Sequence, residues 1–199
     1  MKLRKRLTAL CLSALVCVSL LTACGQKKSA VSRTSLSVCV GETPATYDPI
    51  YAQQIGDQTI LNHLYENLMR LEKGENGQIT AVPGAARSVD MKANSDGTVT
   101  YTFRLRGSKW SDGTEVKASD FVYAWQRLAD PATGSVYASL LSIVSGYAEV
   151  QASGDPSLLA VSAKSSTTLV VTLTGQYDWF LREVCTSIAT MPLRQDVVQ

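Results

Sequence analysis

The chain has 199 residues, 45% of them hydrophobic and 18% charged, which is enough apolar material to close one sizeable core. Its formal net charge of +2 overstates its basicity, because four of the nineteen Lys and Arg (Lys2, Arg4, Lys5 and Arg6) lie in the first six residues. The rest holds fifteen basic against seventeen acidic side chains, about −2, with no basic stripe, so no nucleic-acid partner is expected.

Leu7 to Ala23 carries no charge and closes on a small residue, so residues 1–23 have the layout of a secretory signal. The apolar run is short for a membrane span and has no interfacial Trp or Tyr, which favours an export segment over a retained helix. The run ends in "LTAC", which resembles the lipobox of bacterial lipoproteins. In that motif the cysteine is acylated on sulfur and becomes the first mature residue, so Cys24 is the expected lipid attachment. Two or more acyl chains would be needed to hold it at a membrane. Cys11 and Cys17 read as small hydrophobes of the leader. Residues 24–34 then read as a polar tether.

Residues 35–41 alternate and stop at Gly41, which predicts a strand. "TYDPIY" reads as a loop, because Asp48-Pro49 disfavours a continuing helix. A helix is predicted over 56–72, with Ile60, Leu61, Leu64 and Leu68 as its apolar stripe, and "KGENGQ" after it as a turn. "TVTYTFRLR" is the clearest strand: Val99, Tyr101, Phe103 and Leu105 share one face, and Thr100, Thr102, Arg104 and Arg106 the other. Asp96-Gly97 and Asp112-Gly113 are placed as tight turns at its ends.

"SDFVYAWQRLADP" predicts a helix capped by Ser119, with Phe121, Ala124, Trp125 and Leu128 on its inner face and Asp130-Pro131 as its stop. A further helix is expected over 135–151, presenting Leu140, Leu141, Val144, Tyr147 and Ala148. "TTLVVTLTG" predicts a strand with Leu169, Val171 and Leu173 inward, and "YDWFLREV" a short helix. Strands and helices mix without a strict alternation, so the expected class is α+β.

The sequence offers little for catalysis. His63 is the single histidine and lies within the predicted helix, so a metal cluster or a Ser/His/Asp set could draw on this one imidazole alone, and a helix-surface or packing role is expected of it. The cysteines lack CxxC spacing. Asp112 has a simpler role in a turn, and Asp120 at a helix start. No GxGxxG or GxxxxGK[ST] run is present to cradle phosphate. No catalytic residue, metal or cofactor is expected. Cys39 and Cys185 lie outside the leader, and the sequence leaves open whether they form a bridge or two separate core thiols.

Residues 101–141, "YTFRLRGSKWSDGTEVKASDFVYAWQRLADPATGSVYASLL", resemble the bacterial extracellular solute-binding proteins of family 5, the oligopeptide- and dipeptide-binding lipoproteins of ABC importers. The shared run is a YTF-x-LR strand, a WSDG turn, a helix start at 118–123, an R-x-x-DP helix end at 127–131 and a "YAS" segment at 137–139. The likeness extends to "YDP" at 47–49, "HLYENL" at 63–68 and "LVVTLTGQYDWFL" at 169–181. Arg87 and Val89 stand where the family has Glu and Trp, and Lys117 stands where it has a capping Thr.

The resemblance implies the N-terminal part of a two-lobed, type II periplasmic-binding-protein-like fold, a mixed sheet with packed helices. Residues 35–199 would hold the start of lobe I, an accessory lobe II and the return into lobe I, with the second lobe absent from this stretch. It implies a monomeric substrate-binding lipoprotein that captures extended peptides for an ABC permease and ATPase. Such a protein would be exported and lipid-anchored to the outer face of the cell membrane, or periplasmic. In the family the peptide is bonded as an added strand; by position Ala52, Gln53, Gln54 and Ile55 would form the edge that it meets, and Tyr137 would face the cleft. The alternatives are a family member that takes another solute, such as a nickel complex or haem, or a truncated inert surface lipoprotein. An anchored enzyme would need a nucleophile and base, or a metal set, that the residues do not supply.

Overall fold

The computed structural model describes residues 37–198. The leader, Cys24 and the tether through residue 34 lie outside the described residues. Residues 40–198 hold every element named below.

The first helix, α1 (Ile55–Leu64), starts from Gln54, whose N–H is 3.4 Å from Asp57 Oδ2. Asp57 is buried and its other oxygen accepts the Ala45 N–H at 2.7 Å, which pins the preceding loop to the helix. The sequence predicts this helix to residue 72, but it stops at Leu64, which is 63% exposed. The cause is tertiary. Asn67 is buried, its amide donating to Ser187 O at 2.5 Å and Thr190 Oγ1 at 3.0 Å, while its own Oδ1 accepts the Leu68 N–H at 2.7 Å. Those bonds hold the chain extended and send Leu68 and Met69 into the core, where helix geometry would have placed Leu68 on the α1 stripe.

Two antiparallel sheets follow. β1 (Met69–Lys73) and β2 (Ile79–Pro83) form a hairpin around the expected turn at 73–78, where Gly77 has φ +81. β3 (Ala86–Ala93), β4 (Val99–Leu105), β5 (Val161–Ser165) and β6 (Thr168–Leu173) make a four-stranded sheet in the order β3-β4-β6-β5. Over these residues the expected mixed sheet is antiparallel at every pairing. β4 and β6 alternate as predicted, with Val99, Tyr101, Phe103, Leu105, Leu169, Val171 and Leu173 buried. Asp96-Gly97 turns β3 into β4. Asp112-Gly113 turns a separate loop beyond β4, where Gly113 N–H reaches Trp110 O at 2.9 Å. Residues 37–41 form no strand, since an extended segment becomes one only with a partner to pair with.

Helix α2 (Ala118–Ala129) lays Phe121, Ala124, Trp125 and Leu128 on the sheet, all fully buried. Its cap is Lys117 and not Ser119: the Lys117 N–H donates to Asp120 Oδ2 at 2.9 Å. Lysine has no acceptor to return, so only the acidic half of a capping box exists. Asp130-Pro131 ends α2 as predicted.

The helix expected over 135–151 is two shorter pieces, a 3₁₀ turn at Ala138–Leu141 and α3 (Tyr147–Ser153). Between them Val144 bridges to Leu173 and the Ser145 N–H donates to Thr172 O at 2.9 Å, so this stretch is spent on the edge of β6. Gly146, with φ +83, makes the break, and a Cβ there would lie 2.0 Å from Leu158 O. "YDWFLREV" forms one π-helical turn at Phe180–Val184, and the chain closes on α4 (Gln195–Val198).

Candidate functional site

Two Asp-Pro steps, far apart in the chain, build the site. Asp48 accepts the Ile50 N–H at 3.4 Å and Asp130 accepts the Ala132 N–H at 2.8 Å, each starting a 3₁₀ turn with proline in its first position. Arg127, one helical turn before Asp130, reaches back to Asp48 with both terminal nitrogens, Nη1 to Oδ1 at 2.9 Å and Nη2 to Oδ2 at 2.7 Å. Its guanidinium lies 5.8 Å from the Tyr51 ring centroid. The Asp48 carboxylate beside it raises the Arg127 pKa further above its ordinary value.

From this clamp a run of bonds proceeds along residues 50–52. Tyr51 Oη donates to Thr133 O at 2.9 Å, Ser135 Oγ to Ile50 O at 2.7 Å, and Tyr137 Oη to Ala52 O at 2.9 Å. Gln58 Nε2 adds a second donor to the Ala52 carbonyl at 3.3 Å.

The structure therefore brings Tyr137 onto Ala52, which is 1% exposed. Gln53 and Gln54 are exposed, and Ile55 is 81% exposed. Gln54 is committed to α1, since its carbonyl accepts the Gln58 N–H at 3.1 Å. Among the described residues, the N–H and C=O of Gln53 make no hydrogen bond. The peptide bonds on either side of it are trans, so each C=O points opposite to the N–H that follows it. The Ala52 C=O faces Tyr137 Oη and the Gln54 N–H faces Asp57 Oδ2, which leaves the Gln53 N–H and C=O pointing away from both partners. With Ala52 O turned inward onto Tyr137, Gln53 offers a donor and an acceptor outward, the pattern that an added strand pairs with.

Sequence reasoning missed Asp48, Arg127, Ser135 and Asp57 as supports of this segment. The signal was present in the "YDP" and "R-x-x-DP" runs, where the arginine of the second pairs with the aspartate of the first.

Two clefts of about 450 and 330 Å³ share Asn62, Tyr65 and Glu66 beside the end of α1, and neither includes residues 52–55. In the smaller, Tyr65 meets Trp110 edge-on with centroids 6.3 Å apart. Burial, with Asp48 as a lesser influence, pushes the Tyr65 hydroxyl above its ordinary pKa. His63 is exposed and its Nδ1 lies 2.6 Å from Thr59 O, a contact within the helix. Cys185 is buried and Cys39 exposed, and both are free. Among the described residues no three His, Cys, Asp or Glu side chains are placed to hold a metal ion, and no helix is long and apolar enough to cross a membrane.

The model for the middle region of bacterial extracellular solute-binding proteins, family 5, matches residues 80–196. The periplasmic murein peptide-binding protein MppA of Escherichia coli is 34% identical over 163 residues, which is 80% of this chain and 29% of that protein. The crystal structure of Haemophilus influenzae OppA in complex with RPPGFSPFR superposes with a TM-score of 0.68 at 35% identity, covering 80% of this chain and 30% of that one. The substrate-binding domain of an oligopeptide ABC transporter from Bacillus anthracis gives a TM-score of 0.68 at 34% identity, over 77% of this chain and 28% of that one. The chain thus spans about 30% of the length of the proteins it matches. The two antiparallel sheets, with α2 packed on the four-stranded one, are this part of a type II periplasmic-binding-protein fold. The chain belongs to the bacterial extracellular solute-binding proteins of family 5.

Proposed function

We propose that residues 52–55 form one wall of a site for extended peptides, in the substrate-binding subunit of an ABC importer. The observation that carries this reading is the open main chain of Gln53, held beside a buried and fully bonded Ala52 carbonyl. Main-chain pairing fixes a peptide backbone while tolerating many side chains, which suits capture of mixed peptides. The complex of the H. influenzae relative with a nine-residue peptide supports the ligand class. The protein serves binding and not catalysis, delivers to a permease and ATPase, and acts as a monomer. It is exported and held at the outer face of the cell membrane, or in the periplasm, by acyl chains on Cys24, with residues 1–23 removed and 24–34 as the tether.

A second reading is a compact solute seated against Tyr65 and Trp110, favoured by the cleft of about 330 Å³ that these rings line. Titrating ¹⁵N-labelled protein with trialanine up to about 100 mM, above the weak affinity expected, separates the two. Shifts centred on the Gln53 amide support the peptide edge. Shifts centred on residues 62–66 and 110, with Gln53 unmoved, would reject it in favour of the cleft. Mass spectrometry of protein from its host tests the anchor, since an unmodified Cys24 peptide would end the lipoprotein reading.

A further inference from the structure

We infer that Ser135 and Tyr137 are positioning residues that order the Gln53 edge by holding the carbonyls of Ile50 and Ala52 inward. This rests on the peptide reading for its purpose, but its geometry stands independently. Segment 48–54 is only partly embedded: Pro49, Ile50 and Ala52 are buried, but Tyr51, Gln53 and Gln54 are exposed, and beyond the turn at 49–51 the segment belongs to no sheet. Without the brace its exposed end at 51–54 would sample more backbone states, and a ligand that needs one of them would bear the ordering cost.

The brace removes that freedom from outside the segment. Its members come from one short stretch, Arg127 to Tyr137, folded by the Asp130-Pro131 step into a turn that runs alongside residues 48–52. Ser135 Oγ and Tyr137 Oη take two carbonyls, two residues apart, at 2.7 and 2.9 Å. With the carbonyls of 50 and 52 fixed on one side, Gln53 presents its own pair on the other, so register as well as order is set from Tyr137. Tyr137 therefore acts through Ala52 instead of touching ligand.

The test is amide hydrogen exchange at Ile50, Tyr51, Ala52 and Gln54 in the full chain without ligand. Tyr137→Phe keeps the ring and removes one hydrogen bond, and Ser135→Ala removes another. Each should speed exchange at these amides about tenfold, the scale of one such bond, and the double variant more. Amides of β4 and β6 should not change. Ser135→Thr, which keeps a hydroxyl, should behave as wild type. Tyr177→Phe, which removes a hydroxyl bonded to Thr174 Oγ1, should leave residues 50–54 unchanged. Unaltered exchange at 50–54 in the double variant, or an equal rise throughout the chain, would overturn the inference. A second arm adds trialanine up to about 100 mM, well above the weak affinity expected of a single edge: the Gln53 amide should shift in wild type and not in the double variant, and equal shifts in both would also overturn it. If exchange behaves as expected but wild-type Gln53 does not respond, the brace stands and the peptide reading falls.

Discussion

Arg127 and Asp48, 79 residues apart in the chain, meet through a two-nitrogen fork of 2.9 and 2.7 Å. Their side chains are only 19% and 24% exposed, so the pair is shielded from salt far more than the surface pairs Arg70–Glu72 and Arg182–Glu183. Because Asp48 also starts the turn ahead of Gln53, the pair joins the end of α2 to the proposed peptide edge.

Removing Arg127 leaves a half-buried carboxylate without its partner. Arg127→Ala is expected to cost about 2 kcal/mol, the scale for losing hydrogen bonds to a charged group. Arg127→Lys should recover at most about half of that, since an ammonium cannot span both carboxylate oxygens. Urea unfolding measures both. An Arg127→Ala midpoint equal to wild type would show that the pair adds nothing to stability.

Trp125 is fully buried, meets Phe180 edge-on with centroids 6.4 Å apart, and donates Nε1–H to Thr190 O at 3.0 Å. Trp125→Ala should cost about 3–5 kcal/mol for the void, plus the penalty of an under-bonded Thr190 carbonyl. Trp125→Phe, which keeps an aromatic ring but loses the donor, should fall between that variant and wild type. A soluble Trp125→Ala protein with an unchanged melting temperature would reject the packing.

The order of these effects shows which parts of the fold could be read from the sequence. β4, β6 and α2 were legible because each buries a single face, so the period of Val99 to Leu105, of Leu169 to Leu173 and of Phe121 to Leu128 declares the element. The short strands β1 and β5 bury only their first residue, and β2 buries none fully, so they leave little alternation to find. The overlong α1 and the helix over 135–151 failed for another reason. Of their predicted apolar stripes Leu61, Leu68, Leu141 and Val144 are buried while Leu64 and Ala148 are exposed, and Leu68 and Val144 reach the core as extended chain, held by Asn67 and by pairing with Leu173. Periodicity reports which residues go inside and not the backbone that takes them there. At the site, the segment 52–55 and Tyr137 were singled out by position within the family pattern, and the structure joins them through Ala52 O. The bracing roles of Arg127 and Ser135 depend on contacts across roughly eighty residues, which no local pattern encodes.

The Cys185 thiol is fully buried, and burial alone pushes its pKa well above the ordinary 9.0. A thiol with a raised folded-state pKa contributes stability that is intact below the unfolded value and is lost as pH rises from there through the folded one. Stability should therefore decline above about pH 9, and Cys185→Ala should flatten that decline. In alkylation followed by mass spectrometry, the Cys185 peptide should stay unlabelled in native protein, since the reactive species is the thiolate, and label fully in urea. The exposed Cys39 should label at once. Rapid native labelling of Cys185 would mean that the π-helical turn beside it opens readily.

The last expectation concerns affinity. Gln53 offers one donor and one acceptor, and a strand paired along a single edge keeps its far-side main-chain groups and both charged termini in water. Ordering the peptide costs about 1–2 kcal/mol per residue fixed, whereas each net hydrogen bond returns only about 0.5–1.5 kcal/mol. Two such bonds barely offset the ordering of two residues, and docking side chains on the exposed Ile55 adds modest apolar burial. This chain, which spans about 30% of the length of its relatives, should therefore bind peptides with a Kd of about 1 mM or weaker. Calorimetry of the chain against a mixed peptide pool measures this directly. Saturable binding in the micromolar range would mean that these residues carry a complete site, and that a single open edge at Gln53 is the wrong description of it.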